Sequence, residues 1–262
     1  MSDNLRIAEV SKDSLQKNQE SSEEVNISNF QESGKNIGEA TIQLNEKHRK
    51  EFHDSGISDK TIRLYENNAL LKTIEQIEKA VGLKVPKCVE GSGWIMFYPN
   101  SDSYYTLKAD KPRVNPNGRT IKYENPYGQA VEVFIPLGFD YNAEVIIITE
   151  GIKKAIKAVQ EGFNAISISG VWNWRSKKSK DGINASFSAF IEKVLKTGNK
   201  TIYLCFDNDV IQKESVKMAL TQLSVYLLNN GVIPKVIKLP YNKGQKLGLD
   251  GQRSAVLPGC IQ

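Results

Sequence analysis

Cysteine is scarce in this 262-residue chain, with Cys88, Cys205 and Cys260 far apart and odd in number. No Cys-x-x-Cys pair occurs, which argues against a zinc ribbon and against a disulfide framework. Histidine is rarer still. His48 and His53 lie five apart, off the shared face that an i, i+4 metal pair needs, and read as surface or packing residues. No apolar run approaches the roughly 18 residues that cross a membrane. The first residues, Met1-Ser2-Asp3-Asn4-Leu5-Arg6, lack the apolar stretch of a secretion signal. A cytoplasmic protein with no membrane partner is expected. The pattern Gly-x-x-x-x-Gly-Lys-Ser/Thr is missing as well, so this chain carries no helicase P-loop.

What is present is an ordinary globular composition, 40% hydrophobic, with an uneven charge. Residues 1–40 hold eight acidic and four basic side chains, a net of −4 against +5 for the whole chain, which leaves +9 on the remainder. A basic body suits a phosphate-rich partner, because lysine and arginine contacts to phosphate dominate nucleic-acid affinity.

Along the chain, residues 1–42 are rich in Ser, Asn, Gln and Glu without a period and read as a disordered leader. Residues 43–135 form a small module, helical and then β-rich. Leu44 to about Tyr65 has a helix-turn-helix pattern, with Gly56 as a left-handed C-cap and Ser58 as an N-cap. Residues 68–82 are expected to form an amphipathic helix with Leu71, Ile74, Ile77 and Val81 on one stripe. Gly93–Pro99 and Tyr104–Leu107 read as strands, with Lys111, Arg113, Arg119 and Lys122 nearby among aromatics.

Residues 136–250 carry a βαβ rhythm, and 251–262 an irregular tail. Strands are expected at Val145–Thr149, Ala165–Ser169, Thr201–Phe206 and Lys235–Leu239. Helices are expected from Ile152, from Ser186 to Leu195, and from Lys213 to Asn229. The fold class is therefore α/β, a four-stranded mainly parallel sheet flanked by helices. Two of its strands end in acid: Glu150-Gly151 closes the first, and Asp207-Asn208-Asp209 closes the third. In such sheets the functional crevice lies outside the carboxyl ends of the strands. Two carboxylates about 4 Å apart repel by roughly 4 kcal/mol at an effective dielectric near 20. A divalent cation relieves that repulsion, so Glu150, Asp207 and Asp209 are the expected ligands of Mg²⁺ or Mn²⁺.

These residues resemble a Toprim domain, the metal-binding fold of bacterial-type primases, type IA and II topoisomerases and some nucleases. A narrower likeness is to a Toprim-like family of unknown function in phage and plasmid replication proteins. It rests on Lys122-Tyr123-Glu124-Asn125-Pro126, Ile148–Ala155, Ser169-Gly170-Val171-Trp172-Asn173-Trp174 and Gly248-Leu249-Asp250. The resemblance implies catalytic and metal-linked roles for Glu150, Asp207 and Asp209. It implies phosphate approach at Gly151 and phosphate neutralisation by Lys153. The loop carrying Trp172, Trp174, Arg175, Lys177 and Lys178 suits nucleic-acid or nucleotide contact. Where the wider pattern often has an acid, this chain has Lys154, and the continuation expected after Asp250 is missing. The implied function is Mg²⁺-dependent primase-like nucleotidyl transfer on single-stranded DNA from nucleoside triphosphates, beside a separate helicase. A non-catalytic nucleic-acid or nucleotide-binding replication module and a Mg²⁺-dependent nuclease are the alternatives.

Overall fold

A computed structural model describes residues 43–198, 200–207 and 213–237. The expected leader, the C-terminal tail, Asp209 and Asp250 lie outside the described residues.

Two short helices open the fold, α1 (Glu46–Asp54) and α2 (Asp59–Asn67). Each begins where the sequence supplies a side-chain acceptor for an orphan amide. The Asn45 side chain accepts from the His48 N–H, and the Ser58 hydroxyl accepts from the Thr61 N–H. Between them Gly56 takes φ +74°, which a side chain would resist.

The helix expected over 68–82 is not there. Leu71–Ile74 is instead strand β1, followed by a single 3-10 turn at Ile77–Lys79. All four β1 residues are buried, whereas Val81 is 68% exposed and belongs to no apolar stripe. Antiparallel pairing with β2 (Gly93–Phe97) decides the conformation, with Leu71 opposite Met96 and Thr73 opposite Trp94. Strand β3 (Tyr105–Ala109) completes this sheet on the other side of β2.

The second sheet is parallel, in the order β5-β4-β6-β7. Its strands are β4 (Val145–Glu150), β5 (Ala165–Ile168), β6 (Thr201–Cys205) and β7 (Ile233–Val236), the last starting two residues before the expected span. Helices α3 (Ile152–Gln160), α4 (Ala185–Leu195) and α5 (Glu214–Asn229) make the crossovers. The chain moves to one side of β4 to form β5, then back across it to form β6. Right-handed crossovers therefore put α3 on one face and α4 and α5 on the other. Ile146, Ile148, Ile166, Ile168, Ile202 and Leu204 pack on Phe187, Phe190, Ile191, Leu220, Leu223 and Leu227. Cys205 is buried on the opposite face with Ile147 and Tyr203, as a core residue.

The module and the parallel sheet share a core. Ile152, Ala155 and Ile156 of α3 join the cluster of Phe52, Ile62, Trp94 and Leu107. Gln160 fastens the α1–α2 turn to the far end of α3, accepting from the Ser58 N–H at 2.7 Å and donating to the Gly56 carbonyl at 3.1 Å. The helical hairpin thus has a packing role.

Candidate active site

A sheet in which the crossovers change face has a switch point, and here it lies between β4 and β6. Thr149 and Cys205 are register partners across that junction. Glu150 comes one residue after Thr149, and Asp207 two residues after Cys205. Both acids therefore stand at the carboxyl edge of neighbouring strands, flanking the crevice. Glu150 is half-buried, and Asp207 is buried at 6% exposure. Beside Glu150, the Thr149 hydroxyl is buried without a hydrogen-bond partner among the described residues.

Gly151 turns the chain from β4 into α3 at φ +94° and ψ 135°, a sparsely populated region that costs an L-residue roughly 1–3 kcal/mol. Nothing lies within 4 Å of where its Cβ would be, so the backbone there is open to a ligand. Helix α3 has no side-chain cap at this end, which leaves its first amides facing the crevice mouth.

The lysines of α3 go where the sequence did not suggest. Lys153, Lys154 and Lys157 lie off the apolar stripe of Ile152, Ala155 and Ile156, yet all three are largely covered. Lys153 donates to Glu51 Oε1 of α1 at 2.9 Å and lies 5.8 Å from the Phe52 ring centre. This tie to the module joins the first turn of the helix to α1. Lys157 pairs with Glu161, the residue that caps the end of the same helix. Lys154 reaches the crevice and donates to Asp207 Oδ1; their side chains are only 15% and 8% exposed. The sequence shows a basic residue at 154 but not its partner, which is distant along the chain. The available signal was a pair of adjacent lysines in the first turn of an otherwise apolar helix, directly after a strand-end acid.

Glu51 is the other unforeseen residue. It accepts from Lys153, from Trp94 Nε1 at 3.1 Å, and from Lys108 Nζ at 2.6 Å. Burial pushes its carboxyl pKa up, but bonds from Lys108, Lys153 and Trp94 outweigh that and leave it below the ordinary value. His48 is also more than packing: buried, it bonds Thr73 Oγ1 at 2.8 Å and Asp110 Oδ1 at 2.9 Å.

The loop between β5 and α4 divides the expected binding residues. Trp172 is half-buried, and Arg175, Lys177 and Lys178 are exposed. Trp174 is not at the rim. At 3% exposure it packs against Phe187 and Tyr226, its ring centroid 5.6 Å from that of Tyr226, which removes it from base stacking. Arg175 lies over the outer face of Trp174 at 5.6 Å and donates to Gln222 Oε1 at 2.7 Å.

For a divalent cation, the donor set is the observation that counts. Glu150 and Asp207 are hard oxygen donors on adjacent strand ends, and Mg²⁺ needs one or two such carboxylates with waters and phosphates completing its shell. Asp207 already draws a cationic group, the Lys154 ammonium. These residues fit Mg²⁺ or Mn²⁺, although no cluster of three or more His, Cys, Asp or Glu ligands occurs among the described residues.

The comparisons with known proteins agree with this architecture. Residues 140–252 match the model of a domain of unknown function, DUF3854. The Aquifex aeolicus primase, solved as its zinc-binding and RNA polymerase domains, is similar at a TM-score of 0.55 and 15% identity. That likeness covers 83% of this chain and 55% of the primase chain. The RNA polymerase domain of Mycobacterium tuberculosis primase DnaG gives a TM-score of 0.54 at 10% identity, covering 82% of this chain and 74% of that one. The fold is primase-like, and this chain spans about half of the first of those structures. No curated protein matches. Among the described residues no helix is long and apolar enough to cross a membrane.

Proposed function

We propose that this chain is the core of a Toprim-type, primase-like nucleotidyl transferase of mobile-element DNA replication. It would work in the cytoplasm on single-stranded DNA and nucleoside triphosphates, beside a separate helicase. The observation that carries the reading is the pair Glu150 and Asp207 flanking the switch point of a sheet with primase-like topology. Glu150 and Asp207, with Asp209 outside the described residues, would hold Mg²⁺ or Mn²⁺. When bound, the metal supplies charge stabilisation to a triphosphate under attack.

The chain's own groups account for the remaining chemistry. Glu150, half-buried, would either complete the metal's ligand set or take the proton of the attacking hydroxyl as that hydroxyl's oxygen bonds the α-phosphorus and pyrophosphate departs. Gly151 lets phosphate oxygens approach the backbone, and the uncapped first turn of α3 offers amides to them. Lys177, Lys178 and Arg175 on the β5–α4 loop face solvent, where they can hold the template backbone.

A binding module without turnover is the second reading. It is favoured by Lys154, which occupies an oxygen of Asp207.

One denaturing gel tests both. End-labelled single-stranded DNA is incubated with labelled nucleoside triphosphates and Mg²⁺, with Asp207→Asn alongside. The expected result is short labelled products that the variant fails to make. Unchanged lengths with retained DNA binding would establish the module instead, and a shortened substrate would establish a nuclease.

A further inference from the structure

We propose that Lys154 is a tethered counter-cation for Asp207, which a divalent metal ion must displace in order to bind. This rests on the reading of Glu150 and Asp207 as metal ligands and deepens it.

Three observations carry it. The Lys154 ammonium donates to Asp207 Oδ1, using an oxygen that a metal would take. Both side chains are largely withdrawn from solvent, so little water screens the repulsion between an ammonium and an incoming divalent ion. The backbone that carries Lys154 is anchored. Lys153, its neighbour, is held by Glu51, and Gln160 pins the other end of α3 to the α1–α2 turn. Helix α3 therefore cannot swing clear, and release of Asp207 must come from the lysine side chain itself. Its four-carbon stem lets the ammonium move without the helix. Once displaced it remains at the crevice mouth beside the open Gly151 backbone, where a phosphate is the natural new partner.

The consequence is a site whose negative charge is partly offset before metal arrives and which binds metal more weakly than its carboxylates alone would. The test is calorimetric titration of the full chain with Mn²⁺, for the parent, Lys154→Met, Lys154→Gln, Lys154→Arg and Asp207→Asn. Thermal melting with and without Mn²⁺ runs in parallel. Lys154→Met is expected to bind Mn²⁺ at least about tenfold more tightly than the parent. It should also melt lower without metal and gain more from added Mn²⁺. Lys154→Gln keeps a hydrogen-bond donor without the charge and should show the same tightening if Lys154→Met fails to fold. Lys154→Arg should match the parent, and Asp207→Asn should lose the binding. Equal or weaker Mn²⁺ binding by both uncharged variants, with the parent still binding, overturns the counter-cation and leaves the carboxylate site standing. No Mn²⁺ binding by any of them, parent included, overturns the carboxylate site and the proposal with it.

Discussion

The two sheets handle charge in opposite ways. Around the antiparallel sheet, where α1 and α2 meet it, ionic and polar groups are built into the packing. His48 bridges Thr73 and Asp110, Glu51 gathers Trp94, Lys108 and Lys153, and Arg49 meets Glu66 at 2.6 Å. In the parallel sheet the strands are mainly apolar, and the acids stand at their carboxyl ends, Glu150 as the last residue of β4 and Asp207 two residues past β6. A buried ion pair fixes geometry more than it adds stability, whereas apolar burial adds stability without directional preference. The small module therefore behaves as a positioning frame, and the parallel sheet as the platform that it positions. Helix α3 belongs to both.

Breaking the frame should have the largest effect. Trp94 is fully buried, edge-on to Phe52 at 5.2 Å between centroids, and donates to Glu51. Trp94→Ala should cost about 3–5 kcal/mol in urea unfolding. Glu51→Gln should cost about 2–4 kcal/mol, because it leaves Lys108 and Lys153 without their shared carboxylate. The same residue sharpens the comparison through pH. Its folded pKa is depressed, so its contribution is fully present above the unfolded value. That contribution is lost as pH falls toward the folded one. Unfolding measured between pH 7 and 3 should therefore show an acid-dependent loss in the parent that is reduced in Glu51→Gln. The smallest effect is expected at the platform's edge. Gly151→Ala should cost about 1–3 kcal/mol from backbone conformation alone, since the space for a methyl group is open. Melting temperature reads that change, and its effect on phosphate binding should exceed its effect on stability.

The platform was legible in the sequence because its signals are local. Runs such as Val145–Thr149 and Thr201–Phe206 are β-branched or aromatic and end at turn-formers, and each is followed by a helix with an apolar stripe. The strand-end acids follow from that reading. What escaped it was decided at long range. Leu71, Ile74 and Ile77 have helical spacing, and only pairing with β2 makes a strand of the first two. Lys153 reads as a solvated or phosphate-binding lysine until Glu51, 102 residues earlier, comes into contact. Trp174 sits in a basic loop, yet the turn between Gly170 and Ile183 tucks it beneath α4 against residues far away in sequence.

The adjacent lysines at the start of α3 bear on how this protein can be cut and inherited. Lys153 answers to a carboxylate in the first helix, and Lys154 to one at the end of β6. A truncation near residue 136 would separate the sheet from the residues that orient its first turn. It would yield a fragment with the acids present and their surroundings altered. Recombination that exchanged the sheet while keeping a foreign module would meet the same obstacle unless Glu51 travelled with Lys153. The structural unit is the pair of layers joined through that helix.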